Sequence, residues 1–432
     1  MLFKDKKRKL LVGIDLGNRY SQISFVYTDR DAPMTVSYVA GQEQYNVPTV
    51  LCKREEVNQW YYGKEALKYI KEEDGVLVKN LLKHACEGKE TIIEEQHFAP
   101  VDLLALFVKR LLSMLNAMTD NEKPDALMIT VENLDRRMIE VLTELAGKIG
   151  LDAKQVFFQS HVESFYQYMI HQPEDLWRQQ VVVCDFSDVC MKTYRLELNR
   201  RTTPVVAFVE EKIYTDMPYE RMPSEEPMKT KACEQLDVKF TGIVKGVLEG
   251  RIVSSCYLIG EGFLGNWCKE SLKILCRSRR VFQGNNLYSK GACHTLLEKN
   301  NKTELSDKYV FLAKDKLKAN VGMYVGDAHN RVYYPVMDAG VNWYDAKRDW
   351  DILLENENEL RFVITPLNKK NKREFIMKLE GLTVREDAFS RIGMSISFES
   401  ETRFVLKAMD LGFGEFFTSD GKEWKEEVNW EE

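Results

Sequence analysis

Asp15 and Gly17 are the residues of this chain whose types and spacing most readily suggest chemistry. They stand in Leu11-Val12-Gly13-Ile14-Asp15-Leu16-Gly17-Asn18-Arg19-Tyr20-Ser21-Gln22-Ile23-Ser24-Phe25, where two apolar alternating runs flank a polar turn. That pattern is a strand, a tight turn and a returning strand. A carboxylate ending the first strand is well placed to hold a metal-bound water. A glycine lets turn amides come close to an anion. An ordinary hairpin with a polar turn fits the same residues. A second acid, Asp185, ends the run Val181-Val182-Val183-Cys184, a fully buried strand. Gly260 and Gly262 follow the strand 253–259, where a ligand approach and a plain tight turn both fit.

The elements that must position these residues are legible as periodicity. Residues 10–53 read as short strands, with helical signals following at 63–72, 76–86 and 101–119. Residues 125–131 are a buried strand. Residues 134–149 form an amphipathic helix with Leu134, Met138, Ile139, Leu142, Leu145, Ala146 and Ile149 on one face, Asn133 as its cap and Gly150 as its stop. A strand at 156–158 and a helix over 161–171 complete a first α/β lobe. A second lobe holds strands at 181–185, 191–198, 203–210 and 253–259, and helices at 229–249, 263–276 and 287–297. From about 303 helical periodicity disappears. Short alternating runs separated by Asn, Asp and Gly turns then suggest an antiparallel β-sandwich.

Composition sets limits. The 432 residues should hold two or three domains, and 44% hydrophobic with 11% aromatic content supplies real cores. A formal net charge of −6 does not suit a nucleic-acid surface. The basic start, Lys4 to Lys9, lacks an apolar signal core behind it. The most apolar stretch, Val101 to Met118, contains Asp102, Lys109 and Arg110, so it reads as a buried helix and not a membrane span. The 9 cysteines include no Cys-x-x-Cys pair, which suits reduced core cysteines in a cytoplasmic protein.

The order of several short pieces resembles the DnaK-type heat-shock chaperones of the actin-like ATPase superfamily. Their first phosphate loop reads Gly-Ile-Asp-Leu-Gly-Thr, similar to Gly13–Asn18. Val47-Pro48-Thr49-Val50, Tyr62-Gly63-Lys64-Glu65-Ala66, Val78-Lys79-Asn80-Leu81-Leu82 and Met128-Ile129-Thr130-Val131-Glu132-Asn133 follow in the family's order. Tyr257-Leu258-Ile259-Gly260-Glu261-Gly262-Phe263 resembles its adenosine-site strand and turn, and Phe282 to Ala292 the stretch after it. Phe375-Ile376-Met377-Lys378-Leu379-Glu380-Gly381-Leu382 resembles a strand of its β-rich substrate domain. Val310-Phe311-Leu312 lies where that family keeps its interdomain linker.

The resemblance implies a two-lobed actin-like, DnaK-like ATPase fold over 1–302 (lobes 1–178 and 179–302), then a β-sandwich over 303–432 with no helical lid. It implies ATP or ADP with Mg²⁺ as cofactor, held by Asp15, Gly17, Asn18, Lys79, Asp185, Gly260 and Gly262. Asp15 and Asp185 would hold the metal through water, and Lys79 would meet a γ-phosphate; a solvated helix lysine fits Lys79 equally.

The departures from the family concern its chemistry. Its second phosphate loop is Asp-Leu-Gly-Gly-Gly-Thr; here it is Asp185-Phe186-Ser187-Asp188-Val189-Cys190. Losing glycines whose amides bind phosphate, at roughly 1.5–3 kcal/mol per charge-assisted bond, weakens binding by about 10²–10⁴-fold or more. Asp188 would add a negative charge there. Ser160 stands where the family has the acid that orients attacking water, with Glu163 one turn on as a substitute. His161 reads as a local structural residue. The interval from Asp185 to Ile259 is too short for the family's adenine-clamping subdomain. The basic run Lys369-Lys370-Asn371-Lys372-Arg373 reads as an exposed hairpin tip.

The expected function is therefore a divergent chaperone-like protein that binds nucleotide weakly or not at all, acting in the cytoplasm on protein or peptide clients, with no nucleic-acid or membrane partner. An active ATPase with a rebuilt phosphate site, using Asp15, Lys79 and Asp185, is the first alternative. An actin-like scaffold is the second.

Overall fold

The computed structural model describes residues 8–39, 41–55, 58–72, 75–187, 189–219, 223, 225–284, 286–326, 331–355, 357–367, 372–382, 389–413, 418–419 and 421–430. Asp188, Lys369, Lys370 and Asn371 lie outside the described residues. The chain divides into two compact units, Met1–Phe311 and Leu312–Glu432.

Unit 1 contains two large sheets with the same plan. The first comprises β1 (Leu10–Leu16), β2 (Tyr20–Tyr27), β3 (Met34–Thr35), β4 (Ala126–Val131) and β5 (Val156–Ser160), in the order β5-β4-β1-β2-β3, and Val47–Pro48 also pairs with β2. The strands β1, β2 and β3 form an antiparallel meander, and β4 and β5 extend it in parallel from β1. The second comprises β6 (Gln180–Asp185), β7 (Cys190–Asn199), β8 (Val205–Pro218), β9 (Val253–Ile259), β10 (Arg280–Gln283) and β11 (Tyr309–Phe311), in the order β10-β9-β6-β7-β8-β11. Its strands β6, β7 and β8 are again an antiparallel meander, with β9 and β10 again parallel to β6. Helices α1 (Pro100–Ser113), α2 (Arg136–Lys148) and α3 (His161–Ile170) follow the first meander. Helices α4 (Met228–Leu248), α5 (Lys269–Leu275) and α6 (Leu287–Asn300) follow the second.

The two halves lock together through small residues. A Cβ on Gly13 of β1 would lie 2.3 Å from the Ser289 carbonyl oxygen of α6. One on Gly291 of α6 would lie 2.0 Å from the Ser164 carbonyl oxygen of α3. Only glycine permits either approach. Ser24 and Ser289 share a buried hydrogen bond at 2.8 Å across the first contact. This crossing brings the first turns of α3 and α6 together, near the ends of β1 and β6.

Local chemistry explains where the elements depart from periodicity. The helix expected over 76–86 is a strand, Gly75–Val78, and then a helix, Leu81–Glu87. The β-branched Val76 and Val78 pair with Leu51–Arg54, and Asn80 takes a left-handed conformation (φ 57°) that breaks any continuous helix. The cap of α2 is Asp135, whose carboxylate accepts the Met138 N–H at 2.7 Å, and not Asn133. The helix expected over 263–276 is shorter, starting at Lys269, and β10 follows it. A short helix, Glu304–Lys308, lies beyond 303, where none is expected. The division between units falls at 311/312 and not at 302/303, because Tyr309–Phe311 pairs in parallel with β8. The apolar Val310-Phe311 expected to be a linker is therefore strand, and Phe311 stacks on Tyr166 at 4.4 Å.

Unit 2 is two four-stranded antiparallel sheets. One comprises β12 (Ala319–Val325), β13 (Val332–Met337), β15 (Glu359–Pro366) and β16 (Arg373–Lys378), with β14 (Lys347–Glu355) belonging to the other, together with β17 (Phe389–Phe398), β18 (Arg403–Asp410) and β19 (Glu423–Asn429). Alternation sorts the side chains: Ile392, Met394, Ile396 and Phe398 of β17 are buried against Phe362 and Phe404. This is the sandwich texture expected of the carboxyl-terminal third. Among the described residues, no helix is long and apolar enough to cross a membrane.

Candidate functional site at the strand ends of unit 1

Parallel strands place their carboxyl ends, and the turns that follow them, along one edge of a sheet. In unit 1 this edge of both sheets lines one cavity of about 310 Å³. β1 contributes Asp15 and the turn Leu16-Gly17-Asn18-Arg19, and β6 contributes Asp185 and the following Ser187. Glu132 follows β4, His161 opens α3, Tyr288 lies in the first turn of α6, and Gly260-Glu261 follow β9.

The two acids are held in one continuous network. His161 Nε2 lies 2.7 Å from Asp15 Oδ1. The imidazole stacks on the Tyr288 ring, with centroids 3.9 Å apart and planes 8° from parallel. The Tyr288 hydroxyl donates to Asp185 Oδ2 at 2.7 Å. Asp185 Oδ1 accepts the Ser187 N–H at 3.0 Å and also the Ser187 hydroxyl. Burial alone would depress His161, but the charge and hydrogen bond of Asp15 outweigh it and hold the imidazole above its ordinary 6.5. Burial raises the Asp185 carboxyl above its ordinary range, and the bonds from Ser187 and Tyr288 oppose that rise.

Ser160 and Glu163 acquire a different role from an orienting acid. Ser160 caps α3, its hydroxyl accepting the Glu163 N–H at 3.3 Å. Ser160-x-x-Glu163 is a capping-box pattern, and this cap fixes His161 as the first helical residue. Neither Ser160 nor Glu163 lines the cavity.

The turn after β6 is packed shut. Phe186 is 2% exposed. Its N–H donates to the Ile259 carbonyl, and its carbonyl accepts the Gly262 N–H, both at 2.9 Å. Gly260 has φ +98°, and a Cβ there would lie 2.4 Å from the Phe186 carbonyl carbon; one on Gly262 would lie 2.3 Å from the Phe186 ring. These glycines give room to a phenylalanine of the same chain. The turn after β1 is held differently: Asn18 Oδ1 accepts the Lys83 N–H at 2.9 Å, and a Cβ on Gly17 would lie 2.6 Å from the Tyr20 carbonyl oxygen.

The wall is acceptor-rich. Asp15, Glu132, Asp135, Asp185 and Glu261 line it, against the cations Arg19 and Lys192. Lys192 is ion-paired with Glu132. Arg19 lies over the Tyr219 ring at 3.8 Å. Burial and a hydrogen bond to Glu261 push the Tyr20 phenol upward. Among the described residues no group of three His, Cys, Asp or Glu side chains is gathered as a metal site.

Of the residues expected from the sequence, Asp15, Gly17, Asn18, Asp185 and Gly260 meet at this cavity. Gly262 lines a neighbouring cavity of about 920 Å³, with Phe186, Tyr219, Leu236 and Leu264. Lys79 is exposed and lines neither. Sequence reading did not single out Tyr288, Glu132, Lys192, Gln22 or Asn46. The signal for Gln22 was present: an amide opposite Asp15 in the returning strand of the hairpin.

The C-terminal model of a family of unknown function (DUF5716) matches residues 32–314, and the chain belongs to that family. A domain of unknown function (DUF8552) matches residues 316–430. The two matched stretches adjoin close to the division between the two units. No curated protein matches the chain.

Proposed function

We propose that this chain is a divergent, DnaK-like member of the actin-like superfamily whose cleft does not turn over ATP and which acts through contact with other proteins. The repeated strand plan of unit 1, with its cavity at the strand ends, supports the fold part of this reading. The bond between Asp15 and His161 carries the functional part. In the family it resembles, that acid reaches a metal-bound water; here an imidazole of the same chain takes one of its oxygens. Phe186 strengthens the reading, because it packs on the turn the family uses for adenosine. Charge adds to it. A triphosphate needs cations and free amides, while five carboxylates line this wall and Lys192 is tied to Glu132.

Protein contact would fall to the sandwich. Its edge strands β13, β16, β14 and β19 each pair on one side within their sheets among the described residues, leaving backbone groups for an added peptide strand. The test is thermal unfolding of the full chain with Mg-ATP, together with phosphate release. Bound nucleotide at 100 times its dissociation constant would add about 2.7 kcal/mol. The expected result is no shift and no release; a saturable shift with turnover would refute the reading.

A further inference from the structure

We propose that the two halves of unit 1 are held shut by two reciprocal side-chain clasps at the strand ends, and that the cavity between them opens only when both let go. The clasps are contacts of the chain with itself and do not depend on the reading of the cleft above.

The repeated plan of the two sheets makes the clasps comparable. β4 runs parallel beside β1, as β9 does beside β6. β2 returns antiparallel from β1, as β7 does from β6. Glu132 is the first residue past β4, and Glu261 is the second past β9. Each of these carboxylates reaches across to the returning strand of the other half. Glu132 is ion-paired with Lys192, the third residue of β7. Glu261 accepts the hydroxyl of Tyr20, the first residue of β2, and also the Asn46 amino group at 3.2 Å. Asn46 precedes Val47–Pro48, which pairs with that same end of β2. A cation–π contact adds to the second clasp: Arg19, in the β1–β2 turn, lies 3.8 Å over the ring of Tyr219, the residue after β8.

The sheet order decides what these pairs do together. β4 and β2 flank β1 on opposite sides, and β7 and β9 flank β6 on opposite sides. One clasp therefore joins β4 to β7, and the other joins β2 to β9. A motion that parts the strand ends, pivoting on the close packing at Gly13 and Gly291, has to stretch both. The first clasp is no screened surface pair, because the Lys192 side chain is only 10% exposed and that of Glu132 33%. Leaving either charge there without its partner is unfavourable.

The experiment is amide hydrogen exchange of the full chain, read by mass spectrometry on peptides covering 17–22 and 259–263 for one clasp and 130–133 and 190–194 for the other. Helix α1 serves as the control for the fold of unit 1. Two variants are compared with wild type. Tyr20→Phe keeps the ring and deletes one hydroxyl. Glu132→Gln with Lys192→Met removes the first clasp and leaves no charge unpaired by the change. Each should speed exchange at both clasps by about 2–10-fold, the worth of one lost hydrogen bond, while α1 keeps its wild-type rates. Faster exchange confined to the altered clasp overturns the proposal, because the contacts are then local. Unchanged exchange at both clasps overturns it as well. If the double variant also loses protection in α1, Tyr20→Phe decides alone. Loss of α1 protection in Tyr20→Phe overturns it too, because the contact then holds the fold and not the cleft.

Discussion

The two hairpin turns of unit 1 occupy equivalent places, each between the first and second strands of a sheet with the same plan. Both follow an aspartate, Asp15 or Asp185, and both line the same cavity. Their interiors differ. The first turn is held by hydrogen bonds, Asn18 to Lys83 and Asp15 to His161. The second adds packing to its hydrogen bonds, with the buried Phe186 ring seated on Gly260 and Gly262. The core strands depend on buried apolar runs, which both halves keep. Ligand chemistry depends on a few turn residues, which can change while every strand pairing stays in place.

The largest expected effect breaks the packed turn. Phe186→Ala removes a fully buried aromatic and should cost about 3–5 kcal/mol in urea denaturation. The matching change in the first turn, Asn18→Ala, should cost only about 0.5–1.5 kcal/mol, the worth of one hydrogen bond. Equal losses at the two positions would remove the contrast between the turns.

The next effect concerns pH. His161 is held above 6.5 in the folded protein by Asp15. A raised imidazole contributes stability that is fully present below the unfolded value and is lost as pH rises through the folded value. The difference in stability between wild type and His161→Asn should therefore be largest below pH 6.5 and shrink above it. His294 works in the opposite sense. Burial and the neighbouring His171 push it down to about 3, so its contribution falls as pH drops from 6.5 toward 3. Because His294 is present in both proteins, their difference isolates His161. A difference that grows with pH would contradict the assignment.

The smallest effect separates a helix cap from a catalytic position. Ser160→Ala should lose about 1 kcal/mol, and Ser160→Asp should keep the cap. Phosphate release should stay at background in both, as in wild type. Release that appears in Ser160→Asp would return this position to the role of an orienting acid.

Much of the architecture could be read in the chain. The strand at 253–259 stands where the sequence reading placed it, and β1–Asp15–β2 is the expected hairpin, because both depend on local apolar pattern. Elements decided by pairing or by backbone conformation were not legible. Val76-Leu77-Val78 fits a helix by period, yet pairs as a strand. Val310-Phe311 reads as a linker until its partner β8 is known. At the site, Asp15 and Asp185 were visible because they end apolar runs. His161 and Tyr288 were not, because their role comes from the close crossing of α3 and α6 at Gly291, a contact between residues far apart in sequence.

The central claim is that Asp15 is engaged by His161 and not by a metal-bound nucleotide. The chain has only 6 histidines, so the His161 ring can be followed by NMR of histidine-labelled protein, assigned with His161→Asn. Titration with Mg-ATP should leave the His161 signals in place. A saturable displacement of those signals, with loss of the Asp15 contact, would contradict it.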